Sequence, residues 1–272
     1  MAPTVKQIMD MVDEIAPHSL AEPWDNCGLC VGDFTWPVKK ILVGLDPCMQ
    51  VMQAARKWEA DMVLTHHPLF ITTQKTIDFQ HMPGSAIFLA AREKIALVCA
   101  HTNLDKARNG LNDFFAERIG VVCTHPLVLD HGISDEQSGI TGIGRIGHIA
   151  SAITLAEMVS KIKQQLGVSQ VRVVGDMNAM VEKIAVCTGS GGSLIPDFLT
   201  SGADLYVTGD IKYHDARLIE ARGRALIDVG HFASEIIAKD LLSRRMRQAA
   251  SYAGHDLEIK GFNQEADPFA IV

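Results

Sequence analysis

The sequence predicts an α/β fold made of two similar, interlinked lobes. Two observations lead to this prediction: strand-like and helix-like segments alternate along the chain, and part of that pattern recurs at a constant spacing. The chain has 272 residues, of which 47% are hydrophobic, so it can bury a large core and form one domain or two.

The alternation comes from short runs of β-branched and aliphatic residues separated by stretches with helical spacing of apolar residues. Strands are predicted at residues 40–45, 61–65, 95–100, 184–188, 204–208 and 225–229. Helices are predicted at residues 4–15, 51–59, 86–94, 155–166, 216–221 and 235–247. This order is typical of βαβ units with a largely parallel sheet.

A segment rich in Asp, Ser, Gly and His at residues 124–142 is the predicted connection between the lobes. We therefore expect a first α/β lobe at residues 1–125 and a second at residues 126–272, either as two domains or interlinked as one. The repeat supports this division, because a shift of 143 residues superposes Lys40 on Lys183 and Asp61 on Asp204.

A polar pair also recurs, just beyond a predicted strand in each half. A shift of 130 residues superposes His101 on His231 and Asp105 on Glu235. Chance similarity explains apolar matches between strands better than it explains a repeated polar pair. Because ligand sites of open α/β sheets lie at the carboxyl ends of strands, we expect both strand ends to face a shared cleft.

Imidazole and carboxylate groups at these strand ends predict a metal site. His66 and His67 follow the predicted strand 61–65, where a turn would let neighbouring imidazoles address two ions. His231 and Glu235 have the i, i+4 spacing that places two ligands on one helical face. Single histidines are more often surface or core residues, and i, i+4 pairs are common on solvated helices. The prediction therefore depends on the position of these residues at the ends of predicted strands in both halves.

Other features have competing interpretations. Cys27 and Cys30 form a C-x-x-C pair, for which packing is favoured over a zinc or redox site, and the six cysteines are expected as free thiols. The glycine-rich residues 187–193 fit an anion-binding nest or a plain tight turn. Residues 210–214, which include His214, fit either a polar cleft wall or an exposed loop.

Composition excludes several classes of protein. The formal net charge of -7 argues against non-specific binding to nucleic acid or anionic membrane. No apolar run reaches the roughly 20 residues of a membrane-spanning helix, and the N-terminus lacks the apolar block of a signal peptide. We therefore expect a soluble, cytoplasmic protein.

Six motifs, spread over almost the whole chain, resemble those of one known family. They are residues 24–28 (WDNCG), 65–68 (THHP), 101–105 (HTNLD), 142–147 (GIGRIG), 208–214 (TGDIKYH) and 230–235 (GHFASE). This set resembles the YbgI-like family of dinuclear-metal proteins, which is related to the yeast NGG-interacting factor and often labelled type 2 GTP cyclohydrolase I.

The resemblance implies a metal site in the cleft between the lobes, holding two divalent ions per chain. Its implied ligands are His66, His67, Asp105, His231 and Glu235. Imidazole and carboxylate ligands suit zinc, iron, manganese, cobalt or nickel, so the identity of the metal stays open. The resemblance also implies assembly into a ring-shaped homohexamer.

The implied activity is that of a metal-dependent hydrolase acting on a small molecule such as GTP or another nucleotide. Metal-activated water would open the guanine ring, and His101 and His214 are the candidate catalytic proton shuttles. His101 is placed beside the ligands rather than among them, although the repeat would allow it as a ligand. The alternative is a non-catalytic metal-binding or scaffold protein.

Overall fold

The computed structural model describes residues 2–130 and 141–270, and the predicted α/β fold is confirmed. The chain divides into two compact units, residues 1–107 with 238–272 and residues 108–237. The C-terminal segment belongs to the first unit because its strand Glu258–Gly261 pairs in parallel with Lys40–Gly44. These units differ from lobes divided at residue 125, since strand pairing rather than chain order decides membership.

The first unit contains a five-stranded sheet with the order β1-β4-β3-β2-β13. Its strands are β1 (Gly28–Val31), β2 (Lys40–Gly44), β3 (Met62–Thr65), β4 (Ala96–Cys99) and β13 (Glu258–Gly261). Its helices are α1 (Val5–Ile15), α2 (Met49–Trp58), α3 (Gly84–Glu93), α4 (Thr102–Lys106) and α10 (Ala238–Tyr252). Strands β3 and β4 are buried throughout, as expected for parallel strands covered on both faces.

The second unit contains a six-stranded sheet with the order β5-β8-β10-β11-β12-β9. Its strands are β5 (Val122–His125), β8 (Arg145–Thr154), β9 (Arg172–Val174), β10 (Met180–Ser190), β11 (Leu205–Gly209) and β12 (Ala225–Asp228), with β6 (Val128–Leu129) and β7 (Gly142–Ile143) pairing separately. Its helices are α5 (Leu111–Ile119), α6 (Leu155–Leu166), α7 (Ile195–Thr200), α8 (Tyr213–Ala221) and α9 (His231–Glu235).

Three sequence predictions change in the structure. The second sheet is mixed, because antiparallel strands flank the parallel set β10, β11 and β12. The helix predicted at 235–247 is two helices, since α9 ends at Glu235 and α10 begins at Ala238. The predicted connection at 124–142 holds β6 and part of β5 and β7, and its residues 131–140 lie outside the described ones.

The internal repeat is visible in the hydrogen bonds of each unit. Asp61 Oδ2 accepts the backbone N–H of Lys40 at 2.9 Å, and Asp204 Oδ2 accepts that of Lys183 at 2.9 Å. In both cases the backbone N–H of the aspartate donates back to the lysine carbonyl, at 2.9 and 2.8 Å. The same pair of hydrogen bonds between an aspartate and a lysine backbone therefore joins neighbouring parallel strands in both units.

The repeat differs by one residue from the predicted superposition at the ends of β4 and β12. Ala100 N donates to the Thr65 carbonyl at 3.0 Å, and Val229 N makes the equivalent bond to that of Thr208 at 2.9 Å. These bonds pair Ala100 with Val229, so His101 corresponds to Gly230 rather than to His231. Because a step of one residue on a helix turns a side chain by about 100°, His101 and His231 do not occupy equivalent positions in the two units.

No helix within residues 2–130 and 141–270 has the length and apolar character that crossing a membrane requires.

Candidate metal-binding clusters

His66 and His67 emerge where β3 ends, as predicted. The chain stays beside β2 there, because His67 N donates to the Leu45 carbonyl at 2.9 Å. His66 is fully buried, and its Nδ1 lies 2.9 Å from the Ala100 carbonyl. His67 Nδ1 lies 2.8 Å from Asp46 Oδ1. Because carbonyl and carboxylate oxygens only accept, both Nδ1 atoms carry hydrogen and both Nε2 atoms are in the form that binds metals.

His101 belongs to the same cluster. Its ring centroid lies 5.1 Å from that of His66 and 5.5 Å from that of His67, and the potential ligand atoms of the three histidines lie within 4.8 Å of one another. Its Nδ1 lies 2.9 Å from Asp25 Oδ1, which gives it the same tautomer as the other two. His101 is therefore placed where it can bind an ion as well as transfer a proton.

Asp25 was not singled out by its chemistry in the sequence, yet it holds His101. Its side chain is fully buried and also accepts hydrogen bonds from Thr102 N (3.1 Å), Thr102 Oγ1 (2.5 Å) and Cys27 Sγ (3.0 Å). Burial by itself would raise the pKa of this carboxyl, but the hydrogen bonds from His101, Cys27 and Thr102 hold the pKa well below its usual range. Asp25 is thus a carboxylate at neutral pH.

Asp105 completes the first cluster. It lies in the single turn of α4, whose backbone N–H groups at Leu104 and Asp105 both donate to the His101 carbonyl. The buried Asp105 Oδ1 is 3.8 Å from His66 Nε2, which is longer than a hydrogen bond. Two ligands of one ion lie on the order of 3 to 4 Å apart when each bond is about 2 Å long.

The second cluster is the pair His231 and Glu235 on α9. The i, i+4 spacing brings His231 Nε2 to 2.8 Å from Glu235 Oε2, and Glu235 is buried. His231 Nδ1 lies 2.8 Å from Asp210 Oδ2. The predicted pairing on one helical face is therefore present, and Asp210 holds the far side of the imidazole.

Asp228 secures the two loops that form this second cluster. Its carboxylate accepts the N–H of Ile211 at 3.0 Å and that of Gly230 at 2.9 Å, and it forms an ion pair with Arg172. These bonds tie the residues next to Asp210 to the residue just before α9. The buried Asp228 at the end of β12 therefore determines how α9 begins.

The glycine-rich segment 187–193 packs against the second cluster. Gly189 has a φ of +62°, and a Cβ built there would lie 2.1 Å from Glu235 Oε1 and 3.3 Å from His231 Nε2. A Cβ at Gly191 would lie 2.1 Å from Thr208 Oγ1. These glycines are needed for close approach of side chains, an explanation that the nest and tight-turn interpretations did not include.

His214, the second predicted proton shuttle, lies in the first turn of α8 and is exposed. Its ring contacts the neighbouring Tyr213, with centroids 5.4 Å apart. Within the predicted polar wall, Asp210 contacts the second cluster through His231. The sequence contains no signal that separates Asp210 from its neighbours.

The described residues thus contain clusters of His, Asp and Glu side chains that could bind metal ions. Imidazole nitrogens with a fixed tautomer, combined with buried carboxylates, form a donor set that suits zinc, iron, manganese, cobalt or nickel. The residues present therefore fit a divalent ion.

Comparison with known proteins identifies the family. The family model described as Duf34/NIF3 (NGG1p interacting factor 3) matches residues 3–268. The chain belongs to the Duf34/NIF3 family. This confirms the resemblance indicated by the six motifs.

Two proteins similar in sequence to this chain are named after an enzymatic activity. The "GTP cyclohydrolase 1 type 2 homolog" of Clostridium perfringens is 34% identical over 268 residues, covering 98% of this chain and 99% of the relative. The "GTP cyclohydrolase 1 type 2" of Helicobacter pylori is 31% identical over 231 residues, covering 85% and 86%. A Bacillus cereus protein related to NIF3, of known structure, has the same fold, with a TM-score of 0.93 at 23% identity and full coverage of both chains.

Proposed function

We propose that this protein is a hydrolase that depends on two divalent metal ions, with His66, His67, Asp105, His231 and Glu235 as ligands. One observation carries the proposal. In both clusters the imidazole Nδ1 atoms face oxygen acceptors, which directs the Nε2 atoms toward neighbouring ligand groups. Metal-binding histidines are nearly always held in this way by a carbonyl or carboxylate.

A surface histidine shows that the closeness of several ligand atoms matters as much as a hydrogen-bond acceptor for Nδ1. His81 Nδ1 also lies 2.8 Å from a carboxylate, that of Asp78, but the His81 side chain is 77% exposed. The histidines of the first cluster are buried or half-buried, and their ligand atoms converge. His81 is therefore a matched control with the same hydrogen bond outside any cluster.

When bound, the ions supply Lewis acidity, which polarises a carbonyl or phosphoryl oxygen and makes water more acidic. The chain itself contributes positioning and proton transfer. His101 holds a proton at Nδ1 against the Asp25 carboxylate, which leaves Nε2 able to accept a proton or to bind an ion. Glu235, which has the longer side chain of the two carboxylate ligands, would hold an ion together with His231.

The names of the relatives support a nucleotide substrate. For GTP, the proposed reaction is hydrolytic opening of the imidazole ring of guanine at C8, followed by a second hydrolysis that releases formate. Hydrolysis of another cyclic amide or phosphate-bearing compound would use the same residues. Both versions need a base near the clusters, for which His101 is the candidate.

The family description, an interacting factor, favours a second candidate, a non-catalytic metal-binding or scaffold protein. The two candidates differ in what they require. An enzyme should lose turnover when His231 is replaced, whereas a scaffold should still bind its partners.

The test combines metal analysis with turnover. The purified chain should contain two divalent ions, lose activity with chelator and regain it with metal. His231→Ala should lose metal and turnover, while His81→Ala should match the wild type in both. Only one ion at saturation would overturn the dinuclear proposal. Absence of formate release from GTP with all five candidate metals would reject the cyclohydrolase reaction and leave the metal-binding proposal standing.

A further inference from the structure

Cys30 and Cys99 form a close thiol pair on neighbouring strands of the first unit. Their sulfur atoms are 3.7 Å apart, on the antiparallel strands β1 and β4. The register between these strands shifts between Leu29 and Val31, so Cys30 sits in the irregularity. Irregular positions of this kind redirect a side chain across the strand pair.

The surroundings of the two sulfurs are unequal. Cys99 is 1% exposed, lies 3.1 Å from the Asn26 carbonyl and lines a cavity of about 220 Å³, together with residues such as Met9 and Phe34. Cys30 is only half-buried, so peroxide can reach its sulfur more easily than that of the buried Cys99. Cys30 is therefore placed as the thiol that is attacked first and Cys99 as its resolving partner.

We propose that Cys30 and Cys99 are a dithiol that peroxide oxidises to a disulfide, and that this oxidation weakens metal binding by the first cluster. A disulfide needs a sulfur separation of about 2.05 Å, so the present separation must close by roughly 1.7 Å. Side-chain rotation and a small shift of β4 can supply this movement. The cross-link itself does not depend on the proposed function, but the effect on metal binding does.

The chemistry balances with peroxide as the two-electron oxidant. The Cys30 thiolate attacks one peroxide oxygen, forming sulfenic acid and releasing hydroxide as the O–O bond breaks. The Cys99 sulfur then attacks the Cys30 sulfur, forming the S–S bond and releasing the sulfenic oxygen as water. Overall, two thiols and one hydrogen peroxide give one disulfide and two waters.

The coupling to the metal cluster follows from chain position. Cys99 is followed by Ala100, whose carbonyl holds His66 Nδ1, and then by His101. Displacing the end of β4 therefore moves a support of one imidazole and the backbone of another. A shift of about 1 Å is enough to spoil ligand geometry, since metal sites tolerate deviations of about 0.2 Å in bond length.

Cys27, the other thiol of the C-x-x-C pair, is held elsewhere. Its sulfur lies 3.0 Å from Asp25 Oδ2 and 3.1 Å from Asn103 Oδ1. Burial and the contact with Asp25 raise the pKa of Cys27 to about 12. A protonated thiol bound to Asp25 is a poor nucleophile, so the disulfide is expected between Cys30 and Cys99 rather than within the C-x-x-C pair.

The experiment treats the full-length, metal-loaded chain with hydrogen peroxide and maps cross-links by mass spectrometry of non-reduced peptides. The wild type should give a Cys30–Cys99 cross-link that dithiothreitol removes. Cys30→Ser should abolish it, and Cys99→Ser should accumulate a sulfenic acid at Cys30 that dimedone traps. Cys123 is a half-buried thiol of the second unit, and the control variant Cys123→Ser should leave the cross-link unchanged.

Two further results decide the proposal. A Cys27–Cys30 cross-link, or oxidation without a Cys30–Cys99 cross-link, would overturn the dithiol. If Cys99→Ser does not fold, Cys99→Ala and the wild-type cross-link provide the same test. Metal content should fall at least several-fold on oxidation and return on reduction, and unchanged content would overturn the coupling. A chain that binds no metal before oxidation would refute the proposed function but leave the cross-link test valid.

Discussion

Replacing Gly189 with alanine tests the second cluster without removing a ligand. The new Cβ would lie 2.1 Å from Glu235 Oε1, well inside van der Waals contact. Since Glu235 is buried, its carboxylate has little room to move away. We therefore expect Gly189→Ala to displace Glu235 and to lower metal affinity strongly.

The expected loss of stability has two parts. An alanine at a φ of +62° costs about 1 to 2 kcal/mol, and overpacking a buried site costs about 1 to 3 kcal/mol more. Gly223 offers a matched control, because its φ is +63° and nothing lies within 4 Å of a Cβ built there. Gly223→Ala should therefore show the backbone cost alone, and the difference between the two variants isolates the contact with Glu235.

The assay is thermal unfolding with and without a divalent ion, combined with calorimetric titration of the metal. At free metal about 100 times above Kd, binding should add about 2.7 kcal/mol to the free energy of unfolding. This gain should be present in the wild type and in Gly223→Ala, and reduced or absent in Gly189→Ala. Metal-induced stabilisation of Gly189→Ala equal to that of the wild type would refute the placement of Glu235 as a ligand.

Further predictions concern the supports of the clusters and the assembly. Asp25→Asn should lower the free energy of unfolding at pH 7. Because the pKa of Asp25 is lowered in the folded state, its stabilising contribution is present above about pH 3.9 and lost as pH falls through the folded value. Urea titrations should therefore give free energies of unfolding for variant and wild type that converge in acid, and divergence would contradict this prediction. Burial raises the pKa of Glu265, whose carboxylate accepts the N–H groups of Leu45 and Asp46 at 2.8 to 2.9 Å. The contribution of Glu265 is therefore fully present below its usual pKa and lost as pH rises through the folded value. Glu265→Gln should then gain stability relative to the wild type as pH rises above about 4.3, and the opposite trend would contradict this sign. Light scattering should report a hexamer, as the family resemblance implies, and a stable monomer at micromolar concentration would reject it.

Sequence reasoning worked best for the central strands of both sheets. The runs that become β3, β4, β11 and β12 are mostly apolar because both faces of these strands are buried, and such runs are easy to detect. The flanking strands β1 and β5 were missed because they are short and at most half-buried. The long strand β8 is mostly buried in its first half and mostly exposed in its second, and it lies next to a segment that resembles a loop.

The candidate ligands could be found from the sequence because they lie close together along the chain. His66 and His67 are adjacent, and His231 and Glu235 are four residues apart, so local geometry already relates them. The repeat pointed to the correct strand ends but was one residue out of register, because a hydrogen-bond register cannot be determined from spacing alone.

The supports of the clusters were decided only by tertiary structure. Asp25 contacts His101 across 76 positions of sequence, and Gly189 on β10 leaves the space that the Glu235 side chain of α9 occupies. Similarly, the Cys30 and Cys99 sulfurs meet only because β1 pairs with β4. The sequence by itself determined which segments are buried and which residues can bind metal, since both properties are local. Which acceptor orients each imidazole, and which glycine admits each carboxylate, depends on contacts between distant segments that form only when the sheets assemble.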